Sequence, residues 1–338
     1  MTTPYDRILL EHGSGGLLSN ELIAHTFLPL LKNRWLEGLG DGALFEIGGV
    51  KLCFSTDTFV VQPRFFPGGD IGSLAIHGTV NDLAMCGGTP LYLSAGFILE
   101  EGFPMEELER IVRSMAAAAK RAGVSVVTGD TKVVPRGAAD GLFINTAGIG
   151  VVHYAGALGA AAIRPGDAVL VSGPIGDHGA AILSARQDFG LSSEVRSDSA
   201  PLNGLVAQIL KASPNIHCMR DATRGGLGAI LTELSQQSGL RVTVKESAVP
   251  VRDAVRGICE ILGFDPLFLA NEGRMALFCP ASEAQAVLAA MQAHELGHEA
   301  AVIGSVTEDK RGRLVMETLL GSLREVDLPT GELVPRIC

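Results

Sequence analysis

No uninterrupted apolar run in the 338 residues approaches the length needed to cross a bilayer, and no signal-peptide pattern precedes Tyr5. These absences exclude a membrane-spanning helix and lead to the expectation of a cytoplasmic protein. Basic residues are also in short supply. Lys and Arg number 27 against 37 Asp and Glu, a net charge of −10, which argues against a nucleic-acid or polyanion surface. A nucleotide bound to so acidic a chain would need metal to offset its charge. The six cysteines, at 53, 86, 218, 259, 279 and 338, include no CxxC pair and read as reduced thiols.

Glycine is what the chain has in excess, with 42 residues scattered outside any low-complexity tract. That density supports tight turns and close backbone approaches to a ligand. Strand-like and helix-like segments alternate in two blocks of similar grammar, an α/β or α+β arrangement with two related halves. In the first block, residues 43–54 read as a hairpin broken at Gly48-Gly49, Asp70 to Met85 as a helix, and 104–123 as a helix opened by Pro104 and closed by Gly123. Strands are expected at 124–127 and 142–152. The second block opens at Ile163-Arg164-Pro165-Gly166-Asp167, with strands expected at 168–172, 241–246, 274–279, 300–306 and 313–318. Its helices are expected near 177–189, 201–212, 251–262 and 281–296, with one more after Thr223. The spans are therefore an N-terminal segment 1–40, domains 41–155 and 163–320, and a tail from 325 to 338.

Acidic residues recur in glycine-flanked segments expected to be loops that follow strands: Asp57 in Ser55-Thr56-Asp57-Thr58, Asp130 in Thr128-Gly129-Asp130-Thr131-Lys132, and Asp221 in Arg220-Asp221-Ala222-Thr223-Arg224-Gly225-Gly226. Converging at one rim of a sheet, such carboxylates suit Mg²⁺ held jointly with nucleotide phosphates. For any one of them alone the plainer reading, a turn residue or helix cap, is the preferred one. Asp82, beside Asn81, differs, because a carboxylate on an otherwise apolar helix needs a partner or a metal. The loop Gly13-Ser14-Gly15-Gly16 precedes a helical run and can present backbone N–H groups to an anion. No Gly-Lys-Ser/Thr follows it and the Rossmann spacing is missing, so a flexible turn stays open as a reading. His294 and His298 lack the glutamate of an HExxH site and read as solvated helix residues.

The last residue is Cys338, behind a stretch rich in proline and glycine that reads as loosely held extended chain, long enough to reach about 45 Å. A thiol on such an arm can carry a substrate to a distant site; a frayed end that stops at cysteine is the plainer alternative.

His12-Gly13-Ser14-Gly15-Gly16, Ser55-Thr56-Asp57, Asn81-Asp82-Leu83-Ala84-Met85-Cys86-Gly87-Gly88, Thr128 to Val134, Arg220 to Gly226 and Pro335-Arg336-Ile337-Cys338 together resemble the HypE family of hydrogenase maturation proteins. That family lies within the aminoimidazole ribonucleotide synthetase and selenophosphate synthetase superfamily. The internal motifs mark the superfamily, the terminal cysteine the member; selenophosphate synthetases carry their reactive residue near the N-terminus, where this chain has no cysteine before Cys53. The resemblance implies two PurM-like α/β domains, a homodimer whose N-terminal strands form a shared barrel, and a mobile tail. It implies ATP-dependent dehydration, with Mg²⁺, of a carbamoyl group loaded on Cys338 by HypF, the resulting cyanide passing to iron on a HypC–HypD complex. Asp57, Asp82, Asp130 and Asp221, with Asn81 alongside, would hold Mg²⁺ and the triphosphate under the 13–16 loop. Lys132 would stabilise developing charge and Glu272 would take the amide proton. Arg336 would guide docking or mark a surface read by HypF. Two other readings are a small-molecule ATP-dependent synthetase or kinase of the superfamily, with Cys338 incidental, and a non-catalytic nucleotide-switched carrier.

Overall fold

The computed structural model describes residues 6–36, 40–186, 193–329, 334 and 336–338. Parts of two sequence-based expectations, the helix end at 187–189 and the tail at 330–333 and 335, lie outside them.

The N-terminal segment carries α1 (Leu17–Leu22) and α2 (Leu28–Leu31), joined by a π-helical turn. The first sheet is built from β1 (Ala43–Ile47), β2 (Val50–Phe59), β5 (Gly88–Glu100), β6 (Ser125–Val134) and β7 (Leu142–Val152), in the order β1-β2-β7-β5-β6. A two-residue ribbon, β3 (Phe65–Phe66) with β4 (Gly69–Asp70), leads into α3 (Ile71–Met85); α4 (Met105–Ala122) follows β5. The β1–β2 hairpin turns at Gly48 and Gly49, whose φ values of 61° and 80° fall where glycine carries no steric penalty. Asp70 caps α3 by accepting from the backbone N–H of Gly72 and Ser73.

The second sheet has seven strands in the order β14-β13-β10-β12-β8-β11-β9. They are β8 (Asp167–Val171), β9 (Cys218–Asp221), β10 (Leu240–Lys245), β11 (Met275–Pro280), β12 (Ala301–Glu308), β13 (Leu314–Glu317) and β14 (Leu323–Val326), with helices α5 (Asp177–Ala185), α6 (Asn203–Ala212), α7 (Gly226–Ser238), α8 (Asp253–Leu262) and α9 (Ala284–Gln292). The expected alternation is present, with the 142–152 strand matched residue for residue. Among the described residues, the strands that escaped sequence reading are β5, β9, β14 and the short pair β3 and β4. Because β14 includes Glu325 and Val326, the tail begins two residues later than expected.

The segments expected to be loops around Asp57 and Asp130 are strand interior, in β2 and β6. This decides which way each carboxylate faces, since neighbouring strand residues point to opposite sides. Asp57 pairs with Thr146, whose buried hydroxyl lies 2.6 Å from that of Thr79 on α3. Asp130 stands level with Gly96, Asn145 and Thr58 on the side away from the helices.

Helix α3 lies unusually close to its neighbours. A Cβ at Gly148 of β7 would come within 2.5 Å of Leu93 Cδ2 and 2.8 Å of Leu83 Cδ1, and one at Gly72 within 2.4 Å of Ile111 O. Gly148→Ala is therefore expected to lower stability by about 1–3 kcal/mol through overpacking, measured by urea denaturation; an unchanged midpoint would show that α3 can shift freely.

Candidate active site

The acidic centre forms where the two halves meet. Asp82 comes from the last turn of α3, Asp221 from the end of β9, and Asp41 from the residues just before β1; one carboxylate oxygen of each lies within 4.8 Å of the others. The Ser55 hydroxyl of β2 sits between them, 2.6 Å from Asp82 Oδ2 and 2.8 Å from the Asp41 carbonyl oxygen. Arg220 Nε is 2.6 Å from Asp41 Oδ1, and its other end reaches Glu233 at 3.7 Å. Asp41 was missed by sequence reading, which looked for acids after strands. Its signal was the same glycine flanking, Gly40-Asp41-Gly42, placed before one.

Burial pushes all these carboxyls above the usual range. Asp41 rises to about 6, with Arg220 opposing the shift and Glu233 adding to it. Asp82 and Asp221 rise well above their ordinary value through burial and the neighbouring carboxylates. Asp57 is raised by burial, with Arg224 pulling it back. Asp221 Oδ2 is buried without a hydrogen-bond partner. A compact set of oxygen donors with an orphaned acceptor and mutual repulsion fits a hard divalent cation such as Mg²⁺, which Asp41, Asp82 and Asp221 could hold between them.

Glu272 sits in the turn before β11, 2% exposed, and its Oε1 also lacks a partner. Burial, then repulsion from Asp57, Asp221 and Asp198, pushes its carboxyl well up. The backbone around it is pinned from both sides. Asp198 accepts from the N–H of Glu272 and of Gly273, each at 3.1 Å, and Asn81 Nδ2 donates to the Glu272 carbonyl at 3.3 Å. Asn81 also donates to Ala200 O and accepts from Leu202 N. Its amide is spent on holding this loop, so the expectation that it helps hold the triphosphate is corrected: buried packing between halves has claimed its polar atoms.

Cys338 is 8% exposed, grouped with Val334 and Ile337 in the first domain's core. Its chain lies alongside residues 60–62 in the alternating manner of an added antiparallel strand: Val60 N donates to Cys338 O at 3.0 Å and Gln62 N to Arg336 O at 3.1 Å. Arg336 returns a bond from Nε to Val60 O at 2.8 Å, pairs with Asp140 and lies over the Phe143 ring. It holds φ at +50°, a conformation that costs a non-glycine residue about 1–3 kcal/mol. The expected loose arm with no core packing is thus corrected for these residues, since they are seated and buried. The thiol is raised by burial, then lowered by Arg224 and raised by Glu272, Asp57 and Asp221, which places it among those groups. A small cavity of about 130 Å³ borders it, lined by Gly13, Ser14, Val60, Arg224 and Ile337 among others. Arg224 Nη1 donates to Gly13 O at 3.0 Å. The 13–16 loop therefore folds over the tail's end and Arg224, and a Cβ at Gly15 would fall 2.9 Å from Arg224 Cβ.

Asp130 and Lys132 do not join this constellation within the chain. They are exposed on the outer face of β6, with Lys132 Nζ 2.6 Å from Asp130 Oδ2. The hydrogen bond from Lys132 holds the Asp130 carboxyl below its ordinary value. The expectation that Asp130 ligates metal beside Asp82 and Asp221 is corrected for the single chain: strand alternation turns it the other way.

The chain is similar to known proteins along nearly its whole length. Residues 39–152 match the N-terminal domain, and residues 164–317 the C-terminal domain, of AIR synthase related proteins. The carbamoyl dehydratase HypE of Azotobacter vinelandii is 54% identical over 329 residues, 97% of this chain and 96% of that one. A crystal structure of HypE in complex with ATP superposes with a TM-score of 0.82 at 50% identity, covering 98% of this chain and 100% of that one. HypE in a HypE–HypF complex gives 0.87 at 44% identity, covering 91% and 99%.

A carboxyl raised by folding favours the native state at low pH, where it stays protonated; that contribution is lost as pH climbs through the folded value, near 6 for Asp41. The metal-free protein is therefore expected to lose thermal stability between pH 5 and 8. Millimolar Mg²⁺ should raise the melting midpoint by a few degrees at pH 8 and little at pH 5. Asp82→Asn should abolish the Mg²⁺ response in the same thermal scans, and a response that survives would remove Asp82 from the cation site.

Proposed function

The chain belongs to the carbamoyl dehydratase HypE family, and from that premise we propose that it dehydrates a carbamoyl group carried as a thioester-like S-carboxamide on its own Cys338, consuming ATP. The observation that carries this reading is the seat of Cys338, buried at a cavity it shares with Arg224 and within electrostatic reach of the orphaned Glu272 carboxyl. A small-molecule kinase would have no use for a thiol occupying that place.

The reaction converts S–C(=O)–NH₂ and ATP to S–C≡N, ADP and phosphate with release of a proton. The carbonyl oxygen takes the γ-phosphoryl group and then departs with it as phosphate, while both amide hydrogens leave nitrogen. Mg²⁺ held by Asp41, Asp82 and Asp221 would supply positive charge against the triphosphate. Glu272 accepts an amide proton through its unpartnered Oε1. In its ionised form, burial and the neighbouring carboxylates make it a stronger base than an exposed carboxylate. Asp57 and Arg224 flank the thiol, and Arg224 offsets charge that develops on the transferring oxygen. Burial excludes water, which would otherwise hydrolyse the activated group.

HypF would load Cys338, and a HypC–HypD complex would receive the cyanide for the iron of a [NiFe] hydrogenase; both encounters require the tail outside its seat. Among the described residues no helix is long and apolar enough to cross a membrane, in keeping with work in the cytoplasm. Phe54, Tyr92 and Ile98 stand exposed on the outer side of the first sheet, a face suited to a second copy and hence to the barrel of a homodimer. Asp130 and Lys132 share that face, so their part in the reaction would be played on the partner's site.

Glu272→Gln is expected to leave carbamoylation of Cys338 intact and to slow its conversion to the lighter cyano adduct by about 10²-fold or more. Intact-protein mass spectrometry after HypF, carbamoyl phosphate and ATP reads both steps. Normal thiocyanate formation would strip Glu272 of its role, and no adduct at Cys338 in the parent protein would overturn the function. Lys132→Ala protomers mixed with Cys338→Ala protomers should regain activity that neither has alone. Failure of mixed dimers to turn over would return Lys132 to its own chain's site or to none.

A further inference from the structure

One buried ring near the tail takes no part in the chemistry above. His178, in the first turn of α5, is fully buried, and its Nε2 lies 2.7 Å from the carbonyl oxygen of Ile337. Its Nδ1 lies 2.8 Å from Ser197 Oγ. A carbonyl only accepts, so Nε2 carries the proton and Nδ1 accepts from the Ser197 hydroxyl. Phe66 meets the ring edge-on at 5.4 Å, fixing its plane.

The bonded carbonyl belongs to the peptide unit that contains the nitrogen of Cys338. Because that unit is planar, fixing its oxygen fixes the nitrogen too. On the other side of Cys338, the Val60 N–H donates to an oxygen of its terminal carboxyl group. With both ends of the residue fastened, the position of the sulfur is left to rotation about the side chain. The contact also runs onward. Ser197 precedes Asp198, the carboxylate that holds the backbone N–H groups of Glu272 and Gly273. Tail carbonyl, imidazole, hydroxyl and the loop bearing Glu272 thus form one connected path.

We propose that His178 is a positioning residue that reads the docked tail through the Ile337 carbonyl and, by way of Ser197 and Asp198, sets the Cys338 side chain in register with Glu272. The second half rests on the function proposed above; the docking contact does not.

The test uses the full-length protein and iodoacetamide, with alkylation of Cys338 followed by peptide mapping and the five other buried cysteines as internal standards. His178→Ala should raise the Cys338 rate about tenfold, the worth of one buried hydrogen bond, with the other thiols unchanged. His178→Gln, which restores an N–H within reach of the carbonyl, should return most of the protection. An unchanged Cys338 rate in His178→Ala, or a rise shared by all six cysteines, overturns the contact's role. With Cys338 preloaded by HypF, His178→Ala should slow dehydration about tenfold while loading is no slower; equal dehydration overturns the positioning role. If the parent protein never becomes carbamoylated, the proposed function falls, while the alkylation comparison still decides whether His178 holds the tail.

Discussion

Packing carboxylates into an interior is unfavourable, and this fold does it where its two halves meet. Asp41, Asp57, Asp82, Asp221 and Glu272 share a small region whose neighbouring cations are Arg220 and Arg224. Continuum attraction to two guanidinium groups does not compensate several buried negative charges. The native arrangement is then sustained by bound protons or by an added cation. Other features answer to this constraint. The glycines that let α3 lie close to β7 and α4 bring Asp82 to its place, the Arg220–Asp41 pair ties the start of the first sheet to the second domain, and Asn81 closes the seam.

Much of this was legible in the sequence, because the signals were local. The hairpin at Gly48-Gly49, the helix of residues 71–85 and the Gly123 end of α4 each follow from residue chemistry that acts within a few positions. Asp57, Asp82 and Asp221 could be named because acids recur beside glycine and on an apolar helix, whereas Asp41, which precedes its strand, was missed. What sequence could not give was facing. Asp57 and Asp130 sit in similar motifs, and only strand alternation and register turn one toward α3 and the other toward solvent. Likewise Asn81 looked like a ligand beside Asp82, but a helix sets adjacent residues about 100° apart, and its amide points into the seam between domains.

The tail was the least legible element. Proline, glycine and missing periodicity correctly describe a chain without a helix, yet they do not reveal whether an extended segment finds an edge to pair with. Here residues 60 and 62 supply that edge. A thiol held so deeply is also a poor nucleophile, since burial keeps it protonated. Loading from outside and chemistry within therefore belong to two different positions of the same residue.

The left-handed backbone at Arg336 bears on how the two positions exchange. Its strain exists only while Val60, Asp140 and Phe143 hold it, and relaxes once they let go. The seat is thus a balance of contacts against a bent link, comparable to a latch closed on a compressed spring. The strain at Arg336 subtracts from what these contacts gain, so the seated tail is held less firmly than the sum of its bonds, and the balance shifts toward release.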